Sequence, residues 1–203
     1  MSQVGVLALQ GDFAAHGRVL QALGIEWREV RTPQDLSQVD ALILPGGESS
    51  TLIKLLHSSR LWTALQAFHT AGRPLFGTCA GLILLARETR CPKQESLGCI
   101  DLVAARNAYG RQIDSFIDNG EILAPDELGS DPLQMVFIRA PKIVSFKPEV
   151  EALATCRGEV VLARQAHVLV AAFHPELADV DYRVHHYFLR MVEGACGVDS
   201  PAD

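Results

Sequence analysis

The chain has 203 residues, 48% of them hydrophobic, and carries a formal net charge of -6 with a pI near 5.6. That apolar share supplies a real core and excludes a disordered chain; the length suits one domain spanning 1–203, with the last few residues expected to be disordered. The acidic balance argues against nucleic acid or an anionic membrane as the main partner, because both call for a basic surface.

The first apolar run, residues 4–9, reads as a buried strand. It stops at Gln10-Gly11-Asp12 and has no basic region before it, so it lacks the pattern of a signal peptide. Residues 14–23 read as a helix with Val19, Leu20 and Leu23 on one face and Gly24 as its stop. Strands follow at 26–30 and 41–44, the latter ended by Pro45-Gly46-Gly47. Ser49 or Ser50 suits the cap of a helix running to about residue 56. A further helix at 61–71 precedes a short strand at 75–77, and a helical run at 80–88 comes directly after it. That run holds the longest apolar stretch, at 80–86, far below the ~18 residues of a membrane span. The cytoplasm is therefore the expected location.

The second half is richer in strands, expected at 100–105, 134–138, 143–146, 160–164 and 168–173, with loop or short elements over 107–131 and a closing helix from about 180 to 193. The strand–helix alternation of the first half implies an α/β fold, a mostly parallel sheet with helices on its faces.

Gly77-Thr78-Cys79-Ala80-Gly81 lies between a short strand and a helix, the pattern of a nucleophile elbow with Cys in the place of Ser. Such a turn is strained, and glycines two residues to either side leave room for backbone to cross backbone. It lifts the sulfur from the sheet, sets it near a helix N-terminus and points the Ala80 N–H at a developing oxyanion. The bland alternative is a core cysteine beside a Gly-rich turn. Cys91, Cys99, Cys156 and Cys196 lack such a context and read as core cysteines. Five cysteines without a C-x-x-C give neither a disulfide framework nor a zinc site, and no metal or cofactor is expected.

A cysteine nucleophile needs a base. Of seven histidines, His57 and His69 read as surface residues, and His185 and His186 sit on the closing helix without metal-type spacing. His174 ends the strand 168–173 and is followed by Pro175-Glu176. Sites of open α/β sheets gather at such carboxyl ends. Pro175 favours extended backbone at His174, so Glu176 is expected on the same side as the imidazole, as its orienter. Gly47, in the loop Leu44-Pro45-Gly46-Gly47-Glu48-Ser49-Ser50, offers a second oxyanion donor beside Ala80; the plainer reading of that loop is a tight turn.

Together, Pro45-Gly46-Gly47-Glu48-Ser49, Phe76-Gly77-Thr78-Cys79-Ala80-Gly81 and Phe173-His174-Pro175-Glu176 resemble the class I glutamine amidotransferases. Three further stretches look like the glutaminase subunits of pyridoxal 5'-phosphate synthase: Gly5-Val6-Leu7-Ala8-Leu9-Gln10-Gly11, the segment 106–116 from Arg106 to Phe116, and Val136-Phe137-Ile138-Arg139-Ala140-Pro141. The resemblance implies a three-layer flavodoxin-like domain and a Cys79-His174-Glu176 triad. It implies glutamine contacts from Gly47, Glu48, Ser49, Arg106, Ile138 and Arg139, hydrolysis of L-glutamine to L-glutamate and ammonia, and a synthase partner that takes the ammonia for vitamin B6 biosynthesis. It suggests too that activity stays low until the partner docks, with Gly46-Gly47 suited to a peptide flip that completes the oxyanion hole. The chain departs from the pattern at Ile117 and through 118–133, away from the proposed catalytic positions. A cysteine hydrolase acting on peptides or esters, a non-catalytic binding module, and an amidotransferase of another pathway stand as alternatives.

Overall fold

The computed structural model describes residues 2–106 and 115–197; the expectations for 107–114 and for the last residues lie outside them. Its first half alternates strand and helix: β1 (Val4–Leu7), α1 (Phe13–Ala22), β2 (Trp27–Val30), α2 (Pro33–Leu36), β3 (Ala41–Leu44), α3 (Ser49–Ser58), α4 (Leu61–Thr70), β4 (Leu75–Thr78) and α5 (Ala80–Leu85). The second half adds β5 (Ala86–Arg90), β6 (Ile100–Ala105), β7 (Ser115–Ile122), α6 (Pro125–Leu128), β8 (Leu133–Ile138), β9 (Lys142–Phe146), β10 (Glu151–Cys156), β11 (Glu159–Gln165) and β12 (Val168–Ala171). A 3-10 turn (Pro175–Leu177) and α7 (Arg183–Gly197) close the described chain.

Nine strands form one sheet in the order β2-β1-β3-β4-β12-β11-β10-β7-β8. The first five run parallel and the remaining four continue antiparallel. β1, β3 and β12 are buried along their whole length, which is why they read as unbroken apolar runs instead of alternating. A second sheet, β5-β6-β9, lies apart. The layered α/β architecture expected from the motifs is the one observed, and the carboxyl ends of β1, β3, β4 and β12 open on one edge.

Several details differ from the sequence expectation. α5 stops at Leu85, and Ala86–Arg90 is a strand paired parallel with β6 in place of a helix continuing to Glu88. Ser115–Ile122, expected as loop or short elements, is an eight-residue strand paired with β8, and Glu151–Cys156 is a strand between β11 and β7 that the sequence did not suggest. α3 is capped by Glu48, whose carboxylate accepts from the Ser50 and Thr51 N–H groups, and not by Ser49 or Ser50. α7 begins at Arg183, because Val180 sits exposed at a φ of 50°. Cys99 and Cys156 are buried as expected, but Cys91 is exposed; the Cys196 side chain is outside what is described.

Candidate active site

Cys79 joins β4 to α5 with no intervening loop, at φ 48° and ψ -100°. Such a conformation costs on the order of 1–3 kcal/mol and persists only where the surroundings impose it. Here they do. The Cys79 N–H donates to the Ala171 carbonyl at 2.9 Å, tying the elbow to β12. A β-carbon on Gly77 would lie 2.6 Å from the Gly81 carbonyl carbon, and one on Gly81 would lie 2.0 Å from the Leu44 oxygen. The two glycines are what lets the strand, the helix and β3 cross this closely. Ala80 is the first residue of α5 and buried behind the sulfur; its N–H, in the first helical turn, has no intrahelical acceptor.

His174 follows β12, and its N–H donates to the Val136 carbonyl at 2.8 Å. That bond brings the end of β8, with Ile138 and Arg139, beside the elbow. The Cys79 sulfur lies 3.9 Å from the Ile138 oxygen and close enough to the His174 ring to favour its charged form. On the far side of the ring, His174 Nδ1 donates to Glu176 Oε1 at 2.7 Å. Glu176 reaches the imidazole because Pro175–Leu177 curls into a 3-10 turn; the extended backbone expected from the His-Pro dipeptide is not what aligns them.

Burial works against a charged imidazole at position 174, but Cys79 and Glu176 outweigh it and push its pKa up to about 10. Burial likewise works against the Glu176 carboxylate, and the facing His16 and His174 rings hold it below the usual carboxylate range. Both effects favour an imidazolium clamped between a sulfur and a carboxylate.

A cleft opens above the sulfur, with a volume of about 150 Å³. That is small beside the roughly 300–1,000 Å³ of drug-sized sites and suits one small substrate. Gly47, Glu48, Ser49, Cys79, Arg106, Ile138, Arg139 and His174 line it, as the sequence suggested, and Asp12, Ile83 and Pro141 join them. Glu176 lies behind His174 and does not face the cleft. Glu48 is partly committed elsewhere: it caps α3 and pairs with Arg106 at 3.2 Å. Burial alone would raise its pKa, yet hydrogen bonds from Thr51 and Ser50 hold it down to about 2. Gln94, unforeseen, accepts from both Ser49 Oγ and an Arg106 N–H.

Set beside known proteins, residues 6–194 match the model of the SNO glutamine amidotransferase family. The chain belongs to that family. It is similar to the protein of Carboxydothermus hydrogenoformans named pyridoxal 5'-phosphate synthase subunit PdxT, with 48% identity over 94% of this chain and 97% of that one. The protein of the same name from Pelotomaculum thermopropionicum is 49% identical over 92% and 93%. A crystal structure of a glutamine amidotransferase superposes with a TM-score of 0.86 at 44% identity, covering 94% of this chain and 98% of that one. A protein from Thermoplasma acidophilum, at 15% identity and a TM-score of 0.68 over 98% of this chain and 95% of that one, shares the fold.

Within this amidotransferase, Asp12, His174 and Glu176 are the grouping of metal-type donors among the described residues, their ligand atoms within 4.8 Å of one another. His174 Nδ1 and Glu176 Oε1 already satisfy each other, so occupying them with a metal would take apart the pair that orients the imidazole. Two buried histidines that sequence reasoning passed over, His16 and His185, lie directly behind Glu176. No helix among the described residues is long and apolar enough to cross a membrane.

Proposed function

We propose that this chain, as a single domain, is the glutaminase subunit of a pyridoxal 5'-phosphate synthase. It hydrolyses L-glutamine to L-glutamate and ammonia on Cys79 and hands the ammonia to the synthase subunit for vitamin B6 biosynthesis. The observation that carries the assignment is the Cys79–His174–Glu176 alignment at the floor of a small cleft.

In this reading the Cys79 thiolate attacks the side-chain amide carbon of glutamine. N–H groups of Ala80 and Gly47 hold the tetrahedral oxyanion, each such donor contributing roughly 100-fold or more. His174 then donates its Nε2 proton to the leaving nitrogen, the C–N bond breaks, and ammonia departs from a glutamyl thioester. Water, deprotonated by His174, attacks the thioester and releases glutamate. Arg106, held between Glu48 and Gln94, faces the cleft as the cation for the substrate's carboxylate, with Ser49, Ile138 and Arg139 completing the pocket. Ammonia loose in neutral water is mostly protonated and no longer nucleophilic, which supports a docked synthase as the recipient. The free thiols at Cys79, Cys91, Cys99 and Cys156 suit a reducing, cytoplasmic setting.

Cys79→Ala tests the reading. Glutaminase activity, assayed with the synthase subunit present, is expected to fall by roughly 1,000-fold or more. A glutamine-analogue electrophile should label Cys79, and free glutamine should block the labelling. Undiminished turnover in the alanine variant would overturn the assignment.

A further inference from the structure

Behind the triad lies a row of buried polar groups that the reaction above does not use. His16 on α1 and His185 on α7 are both fully buried. His16 Nδ1 is 3.0 Å from His185 Nε2. His16 Nε2 is 3.2 Å from the Thr78 hydroxyl and 3.4 Å from Glu176 Oε2. Neither that carboxylate oxygen nor His185 Nδ1 has a hydrogen-bond partner among the described residues, so the nearest N–H to the carboxylate oxygen is that of His16. Phe76 packs edge-on against both rings.

The protons can be placed by elimination. If His16 carried its proton on Nδ1, its Nε2 lone pair would face a carboxylate oxygen. His185 would then accept at Nε2, and its own proton would sit on Nδ1 as a buried N–H without an acceptor, which is rare and costly. With the protons on Nε2 of both rings, His185 donates to His16 and His16 presents its N–H to Thr78 and Glu176. Only a lone pair is then left over, at His185 Nδ1. Burial disfavours the charged form of both rings: it holds His16 low, and it holds His185 down at about 3 with His16 opposing charge there too.

We propose that His16 and His185 are positioning residues of this glutaminase: a one-way chain of N–H donors that ends on Glu176 and keeps its carboxylate ionised and aligned on His174. The inference rests on the triad assignment. It adds that the carboxylate's second oxygen faces a histidine of α1 at 3.4 Å, with a second histidine from α7 fixing the tautomer of the first. The charged or titratable groups facing His174 are Cys79, Glu176, Asp12 at 4.0 Å and, across the carboxylate, His16. Those facing His185 are His16, Glu176 and His186.

Two measurements test this. In the unaltered protein, two-bond proton–nitrogen correlation spectra of labelled histidines at pH 7.5 should show His16 and His185 neutral with the proton on Nε2; a proton on His16 Nδ1 overturns the proposal. In the assembled complex, His16→Leu should lower kcat by about tenfold at unchanged KM and move the titration of His174 down by about one pH unit. His16→Gln, whose carboxamide N–H replaces Nε2–H, should recover most of both. Leu and Gln variants that share the parent's pH profile overturn the proposal. If the Leu variant does not fold, the spectra and the Gln variant still decide. Cys79→Ala run in parallel separates the two readings. If it is inactive while the His16 variants are normal, only the donor chain fails; if it is active, the triad fails and the chain with it.

Discussion

A methyl group at position 46 has nowhere to go. A β-carbon there would stand 2.4 Å from His174 Cε1 and 3.0 Å from its Nδ1, so Gly46→Ala has to push the imidazole off the line between sulfur and carboxylate. Displacements of about an ångström cost on the order of 100-fold in rate. Gly46→Ala should therefore lose about that much in kcat in steady-state kinetics of the complex, and the melting temperature should fall as well, since overpacking a buried site costs about 1–3 kcal/mol. At this scale the proposed nucleophile and base were legible in the sequence, because the elbow glycines and a histidine at the end of an apolar strand carry their own geometry; the 3-10 turn that brings Glu176 to His174 was not. His16 and His185 were not. A histidine inside a helical stretch gives no sign of which distant carboxylate it will meet, and the pairing of α1 with α7 across 169 residues of chain is a property of the fold.

Among the elements, α3 couples stability to substrate binding through one residue. Glu48 caps the helix and anchors Arg106 with the same carboxylate. Glu48→Ala should cost about 1 kcal/mol in urea unfolding, as lost N-caps typically do, and should raise KM for glutamine. Glu48→Asp separates the two roles. Aspartate is a good cap and should restore stability, while its shorter side chain should leave Arg106 loose and KM high. Two of the elements misjudged from sequence share one cause. Ala86–Arg90 and Glu151–Cys156 are rich in helix-forming Ala, Glu, Leu and Arg, yet pairing with β6 and with β11 and β7 makes them strands. Tertiary partners override local propensity there. β1, β3 and β12 were legible for the opposite reason: buried along their whole length, they have to be continuously apolar.

Over the whole molecule, the buried polar row sets a weakness toward acid. Burial lowers the pKa of His185 from 6.5 to about 3 in the folded chain. Between those values the unfolded chain binds the proton and the folded chain does not, so stability rises with pH. The contribution is complete above pH 6.5 and is lost as pH falls below it. At pH 5 the unfolded histidine is almost fully protonated, and the loss from His185 alone is about 2 kcal/mol; His16, lowered for the same reason, acts in the same direction. Carboxylates such as Glu48, at about 2, titrate below this window, and the lowered but only half-buried pair His69 and His167 adds a smaller part. Urea unfolding at pH 7.5 and pH 5 should show the difference, and His185→Leu, with no proton to take up, should flatten it by about 2 kcal/mol. His174, raised to about 10, works the other way between these two pH values, so the difference between parent and His185→Leu reads the buried ring; a variant with the parent's pH dependence would mean that the ring at 185 takes up protons as freely as in the unfolded chain. That is incompatible with two fully buried imidazoles locked between α1, β4 and α7.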